Sequence, residues 1–338
     1  MAVVNPGAIS AIPVEIFQSY IIEKLRRTNP HLQHATDESA LVLGGSVVHI
    51  PQAGASPEVV KNRKTFPATA VRRGDTFITY ALDVFSTDPT HVTWHERNEI
   101  SYDLTDSVLN DHVLTLAETV GDNMIHNWVR GLKYNSGTNS YVADIIPVTA
   151  RISTSGVATD VNTEDGQTGQ RLAFSYKELQ KAQAMMNKAN TPKEDRYAMI
   201  ESYQYQQFID SLSANQMAAF QQSADLKNGI IGKFAGFNIM ERSSVLAFSA
   251  AGVLLAPDEA LDADSNLASL CWQKNSVAKA DGDMKPFQTT DDPQYYGDIF
   301  SALVKIGGRC RRQDWKGIIA IVQGEAPVEE EEPELDIE

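Results

Sequence analysis

The chain has 338 residues, 42% of them hydrophobic and 22% charged, an ordinary globular balance with length enough for one large core or two ordinary ones. No apolar run approaches the roughly eighteen residues that a transmembrane helix needs, and two cysteines, Cys271 and Cys310, are too few for a disulfide framework or a four-cysteine zinc site. The net charge is −15, and the last fifteen residues, GEAPVEEEEPELDIE, hold eight of the acids and no base; this balance argues against a sequence-reading DNA binder, though not against a container that holds nucleic acid without gripping it.

The first seventeen residues, MAVVNPGAISAIPVEIF, lack the basic segment and long apolar run of a signal peptide, so a cytosolic origin with reduced thiols is expected. Pro13 to Arg27 is predicted as a short helix, because Val14, Phe17, Ile21 and Leu25 fall at helical spacing and Lys24, Arg26 and Arg27 suit the negative end of its dipole. Asn29-Pro30 stops it. The run LVLGGSVVHIP is rich in β-branched residues, and TFITYALDV alternates, with Ile78, Tyr80, Leu82 and Val84 on one face. Together they predict a long β-hairpin over 41–85. The segment between them spans about two dozen residues, long for a connection in a compact domain. It carries Lys61, Arg63, Lys64, Arg72 and Arg73: a solvated loop, or one that projects and pairs with something else.

Residues 103 to 131 are predicted as a helix of about 28 residues, roughly 42 Å long. Leu109, Val113, Leu116, Val120, Met124 and Trp128 form one stripe, Asp103 can cap it, Asp106 suits its first turn, and Gly131 is placed to end it. Residues 134–174 are Gly, Ser, Thr and Asn rich and predict loops with short strands. Ser175 and Glu178 form a capping-box signature ahead of KELQKAQAMMNKA. RYAMIES then predicts a buried strand, YQYQQFIDSL a helix packing Phe208 and Leu212, and GFNIME a strand between Gly-marked turns. This succession belongs to a mixed α/β or α+β domain. Further strands are expected in LASLCWQKNSVAKA and, around a turn at Gln313-Asp314, in DIFSALVKIGGRCRRQDWKGIIAIV. The acidic segment beyond Gln323 cannot form a core and is expected to be disordered.

Catalytic motifs are missing. GIIGKFAG has two residues between its first glycines and Phe234 after Lys233, whereas a phosphate loop needs four and then Ser or Thr; Gly232 and Gly236 fit turns at strand ends. His91 and His95, beside Glu96, have helical metal-site spacing, but HVTWH after Pro89 favours an extended chain that holds them roughly 13 Å apart. His112 and His126 lie roughly 21 Å apart along the long helix, and His49 shows no partner. Cys271 beside Trp272 fits a core. Arg309, Arg311 and Arg312 around Cys310 would favour a thiolate, yet no nearby His or Asp completes a catalytic set. No catalytic, metal or cofactor residue is assigned.

The order of parts carries the signal: a short arm, a long hairpin with a basic tip, a strand, a long helix, an α/β domain and closing strands. DLTDSVLNDHVLTLAETVGDNMIHNWV, SYKELQKAQAMMNKANTPKEDRYAMIESYQYQQFIDSL, GIIGKFAGFNIMERSSV and YYGDIFSALVKIGGRCRRQDWKGIIAIV, in this order, resemble the major capsid proteins of tailed double-stranded DNA phages, with the Hong Kong 97 fold. The resemblance covers about residues 10 to 323. It implies an α+β fold with an N-terminal arm (1–40), an extended loop (41–85), a peripheral domain with the spine helix (86–134), an axial domain (135–295), closing strands of the peripheral domain (296–323) and an acidic tail (324–338). It further implies a structural, non-enzymatic protein that assembles with itself as hexamers and pentamers of an icosahedral virion shell, built in the host cytoplasm and enclosing double-stranded DNA without sequence-specific contacts. Lys61, Arg63, Lys64, Arg72 and Arg73 are the implied inter-subunit contacts.

Expected partners are a separate scaffolding protein, since only about forty residues precede the hairpin, a portal and optionally a decoration protein, with no membrane. No motif carries over the Lys–Asn crosslink of some family members. Competing readings are an encapsulin-type compartment around a cargo enzyme, a metal-dependent hydrolase built on His91, His95 and Glu96, and a ring-forming tail or adaptor protein.

Overall fold

A computed structural model describes residues 29–43, 47–52, 59–64, 66, 70, 72–73, 76–94, 104–135, 140–161 and 166–326. The helix expected over 13–27, the cap at Asp103 and the end of the acidic segment lie outside these residues. The chain divides into two compact units, Met1–Lys133 with Lys274–Asp314 and Tyr134–Gln273 with Trp315–Glu338.

In chain order, β1 (Thr36–Asp37), β2 (Val42–Leu43), β3 (Val47–Gln52), β4 (Thr76–Ala81), β5 (Asp83–Ser86) and β6 (Thr90–Thr93) precede the long helix α1 (Leu104–Trp128). Five short strands follow: β7 (Arg130–Asn135), β8 (Ser140–Ile145), β9 (Arg151–Ser153), β10 (Ala158–Asp160) and β11 (Gln170–Leu172). Then come α2 (Tyr176–Lys188), β12 (Arg196–Glu201), α3 (Ser202–Ser211), α4 (Ala214–Gln222), β13 (Gly232–Phe234), β14 (Phe237–Arg242), β15 (Leu246–Phe248) and β16 (Asn266–Gln273). The last strands are β17 (Val277–Asp292), β18 (Gly297–Cys310), β19 (Ile318–Val322) and β20 (Gly324–Glu325).

The first unit is built on the long antiparallel pair β17–β18, with β1 beside β17 and β5 and β6 beside β18. Helix α1 lies against this pair. Its stripe is apolar as expected: Val113, Leu116, Val120, Met124 and Trp128 are buried, and Leu109 is half-buried. The approach is close because of Gly308, where a Cβ would stand 2.6 Å from the Ala278 carbonyl oxygen and press on Met124. Trp128 Nε1 donates to that same carbonyl at 3.0 Å. The helix stops there, three residues before the expected Gly131, which lies in β7. Val129 N bonds the His126 carbonyl, an i to i+3 bond that tightens the last turn.

The hairpin is present as β3 and β4, antiparallel in register from Val47↔Ala81 to Gln52↔Thr76, with β2 on the outer side of β3. Val48, Ile50, Ile78, Tyr80 and Leu82 bury one face against Ala278 and Ala280 of β17. Val84 departs from the expected alternation and is 56% exposed. The strand breaks at Leu82, and β5 joins a different sheet by pairing Val84 with Lys305 of β18, so the face changes with the partner.

The second unit holds a mixed sheet in the order β13–β14–β12–β16–β19–β9, with β15 on β16. β12 is central and buried along its whole length. Helices α2, α3 and α4 cover one face around Phe208, which packs among Phe174, Tyr205, Phe220 and Phe234. The capping box forms as expected, with Ser175 N and Oγ both donating to Glu178 at 2.8 and 2.6 Å. Helix α4 was not foreseen. It has a weaker box of the same kind, Ser213 with Gln216.

The first stretch of the second unit ends at Gln273, because β17 pairs along most of its length with β18 and so joins the first unit. The closing strands 296–323 divide: β18 belongs to the first unit, while β19 enters the second sheet between β16 and β9. The segment expected to be disordered from 324 begins as ordered backbone, with β20 pairing Arg171↔Glu325 and Leu172↔Gly324 on the edge of β11.

Candidate assembly surface

Lys61, Arg63, Lys64, Arg72 and Arg73 are all exposed on the connection between β3 and β4. Lys61, Arg63, Lys64 and Arg72 make no ion pair among the described residues. Large apolar side chains interleave with them: Val59 is 93% and Phe66 75% exposed. Among the described residues, Lys61, Arg63, Lys64 and Arg72 and the apolar Val59 and Phe66 face solvent.

The base of the hairpin is held firmly. The Glu38 carboxylate, 2% exposed, accepts from Arg311 Nε at 2.7 Å and from the Tyr80 hydroxyl at 3.4 Å. Burial pushes the Glu38 carboxyl up, against the opposing pull of Arg311. Burial also raises the Tyr80 hydroxyl, and the Glu38 charge adds to this. Arg309 Nη1 donates to the Thr79 carbonyl at 3.0 Å. Glu38 N bonds the Lys279 carbonyl at 2.8 Å, and Lys279 Nζ lies 3.1 Å from Asp281 and 3.7 Å from Asp37. Across the strands Thr79 Oγ1 and His49 Nδ1 are 3.0 Å apart, so the partner that the sequence did not show for His49 is its cross-strand neighbour.

A groove of about 640 Å³ runs between α1 and the β5–β6 segment, lined among others by Asp88, Asp111, His112 and Thr115. His112 is 7% exposed and its Nε2 is buried with no hydrogen-bond partner among the described residues. Burial lowers its pKa, with Asp111 opposing. A second exposed set, which the sequence reading did not single out, lies near the turn joining β17 to β18. Trp94 is 55%, Tyr295 53% and Tyr296 80% exposed. Tyr296 takes a left-handed backbone at φ 52°, and its carbonyl accepts from Trp94 N. Tyrosine and tryptophan are favoured interface anchors; the signal available in sequence was the aromatic pair after Asp291-Asp292-Pro293.

The other candidates separate. His91 lies on strand β6 with its ring against Tyr295, the extended conformation expected, while His95 and Glu96 fall outside the described residues. No cluster of three or more His, Cys, Asp or Glu with metal-site geometry occurs among the described residues. Gly236 serves the turn expected of it, at φ +76°. Gly232 instead lies in β13, against the Phe220 ring. Cys271 and Trp272 are core residues. Cys310 is also buried, and burial pushes its thiol up to about 12. Desolvation therefore outweighs the neighbouring arginines, and a thiolate is disfavoured.

No family model and no curated protein matches the chain. Solved structures do. The capsid of cyanophage P-SCSP1u is 18% identical with a TM-score of 0.57, over 85% of this chain and 86% of that one. The capsid of Ralstonia phage GP4 is 15% identical with a TM-score of 0.57, over 87% and 88%. A virus-like particle from Pyrococcus furiosus is 12% identical with a TM-score of 0.50, over 91% and 98%. At these identities the likeness is one of fold: the chain has the α+β fold of phage capsid proteins.

Proposed function

We propose that the chain is a major capsid protein, a structural subunit that assembles with itself into a closed icosahedral shell around double-stranded DNA. The observation that carries this reading is a fold likeness to phage capsids that runs through most of both chains. Assembly also accounts for features that would be liabilities in a lone subunit: a basic loop with uncovered Val59 and Phe66, and an exposed aromatic set at Tyr295 and Tyr296. In this reading Lys61, Arg63, Lys64, Arg72 and Arg73 contact a neighbouring subunit. The first unit supplies the rim contacts of hexamers and pentamers, and the second clusters about their axes. A separate scaffolding protein, a portal and a decoration protein are the further partners. The subunit assembles in the host cytoplasm and resides in the virion, and its role is structural, not catalytic.

Negative-stain electron microscopy of the purified protein, expressed with and without its neighbouring genes, tests this. Closed shells, or aberrant shells and tubes, are expected. Monomers or dimers under every condition would overturn the reading. The likeness to a virus-like particle favours one second reading, an encapsulin-type compartment. Shell contents separate the two: nuclease-protected DNA for a capsid, a stoichiometric cargo protein for a compartment.

A further inference from the structure

We infer that the basic loop is the docking site for the acidic C-terminal segment, residues 329–338, of a second copy of this chain. Lys61, Arg63, Lys64 and Arg72 are exposed and have no ion-pair partner among the described residues. The rest of the chain is acidic, so the loop is the natural counterpart of the densest acidic stretch, EEEEPELDIE. The match extends beyond charge. Val59, Val60 and Phe66 bracket Lys61, Arg63 and Lys64, and all three are exposed. In the acidic segment Leu335 and Ile337 alternate with Glu334, Asp336 and Glu338, a period-2 pattern that puts acids on one face and apolar groups on the other when extended. Such a strip can meet the cations and the apolar side chains at once.

The structure also states where the segment starts. β20 pairs with β11, and Gly324 N donates to Thr154 Oγ1 at 2.9 Å. Residues 327–338 therefore leave a fixed point and can span about 40 Å, the distance scale of an adjacent subunit. The inference needs two copies and no particular shell geometry, so it stands or falls apart from the capsid reading.

The test is carbodiimide crosslinking of the full-length protein, which joins contacting lysines and carboxylates, in an equal mixture of isotopically light and heavy chains. Links from Lys61 or Lys64 to residues 329–338 are expected, with mixed light–heavy pairs among them. Their yield should fall several-fold in 0.5 M salt, and likewise in an Arg63→Glu, Arg72→Glu variant, which keeps both lysines as reporters. Circular dichroism checks that this variant is folded; a separate Glu330→Lys, Glu332→Lys variant should lose the links without touching the loop. Absence of these links, links confined to single chains, or a yield indifferent to both variants would overturn the inference. So would protection of Lys61 and Lys64 by a DNA duplex in a protein that forms no tail links without it, since the loop would then be a phosphate site.

Discussion

Gly308 lies where α1 comes closest to the sheet, and the space for a side chain there is already taken by the Ala278 carbonyl and Met124. Gly308→Ala should cost about 1–3 kcal/mol, read as a lowered Tm by calorimetry with the fold retained. Phe208 is fully buried and touches four aromatic rings; Phe208→Ala should cost about 3–5 kcal/mol, measured by urea unfolding. His112 and Glu38 act on pH dependence in opposite senses. The folded pKa of His112 lies below 6.5, so the unfolded chain binds its proton first. Its stabilising contribution is complete above about pH 6.5 and is lost as pH falls toward the folded value. Glu38 has its folded pKa raised above 4.5, so its contribution is greatest below that pH and declines as pH rises through the folded value. His112→Gln should therefore flatten the loss of stability between pH 7 and 5, followed by denaturant titration; an unchanged slope would refute this assignment. Phe208 was legible as a packing residue of its helix, but the roles of Gly308, His112 and Glu38 were not. A glycine and a glutamate announce nothing until residues more than a hundred positions away arrive beside them.

Among the elements, local chemistry was the best guide. The Ser175–Glu178 box, the stripe of α1 and the alternation of β4 each depend on neighbours within a few residues, and each formed. Errors came where a partner decided. TFITYALDV is one alternating run in sequence but two strands in two sheets, because β18 captures the chain after Leu82. β17 runs 16 residues through DGDMKPFQTTDD, a stretch with no strand signal of its own; β18 pairs with it and the ladder carries bulges at Asp281/Met284 and Thr289/Asp292. The hairpin has a firm base and an exposed tip, so its two ends should respond differently to mutation. Arg72→Glu with Arg73→Glu should reduce assembled particles in sedimentation while leaving the subunit's unfolding midpoint unchanged. Glu38→Ala should lower that midpoint, at a cost of about 1–3 kcal/mol, since Arg311 and Tyr80 lose their shared acceptor.

For the whole molecule, the acidic segment and the two units set the expectations. Deleting residues 327–338 should leave the unfolding midpoint unchanged, because β20 and its bond to Thr154 are retained; a cut before Gly324 should lower it by removing both. The sequence by itself determined the mixture of helices and strands, the long helix, the basic hairpin loop and the order of parts, since all of these follow from periodicity, turn chemistry and charge along the chain, and the resemblance of that order to a capsid protein implied the α+β class. Tertiary structure alone decided which strands share a sheet, where the second unit closes, that β19 and β20 return to it, and that Cys310 is a core thiol despite three arginines beside it. Those outcomes rest on pairing and burial between distant segments, and strand pairing leaves no mark in a single strand's own residues.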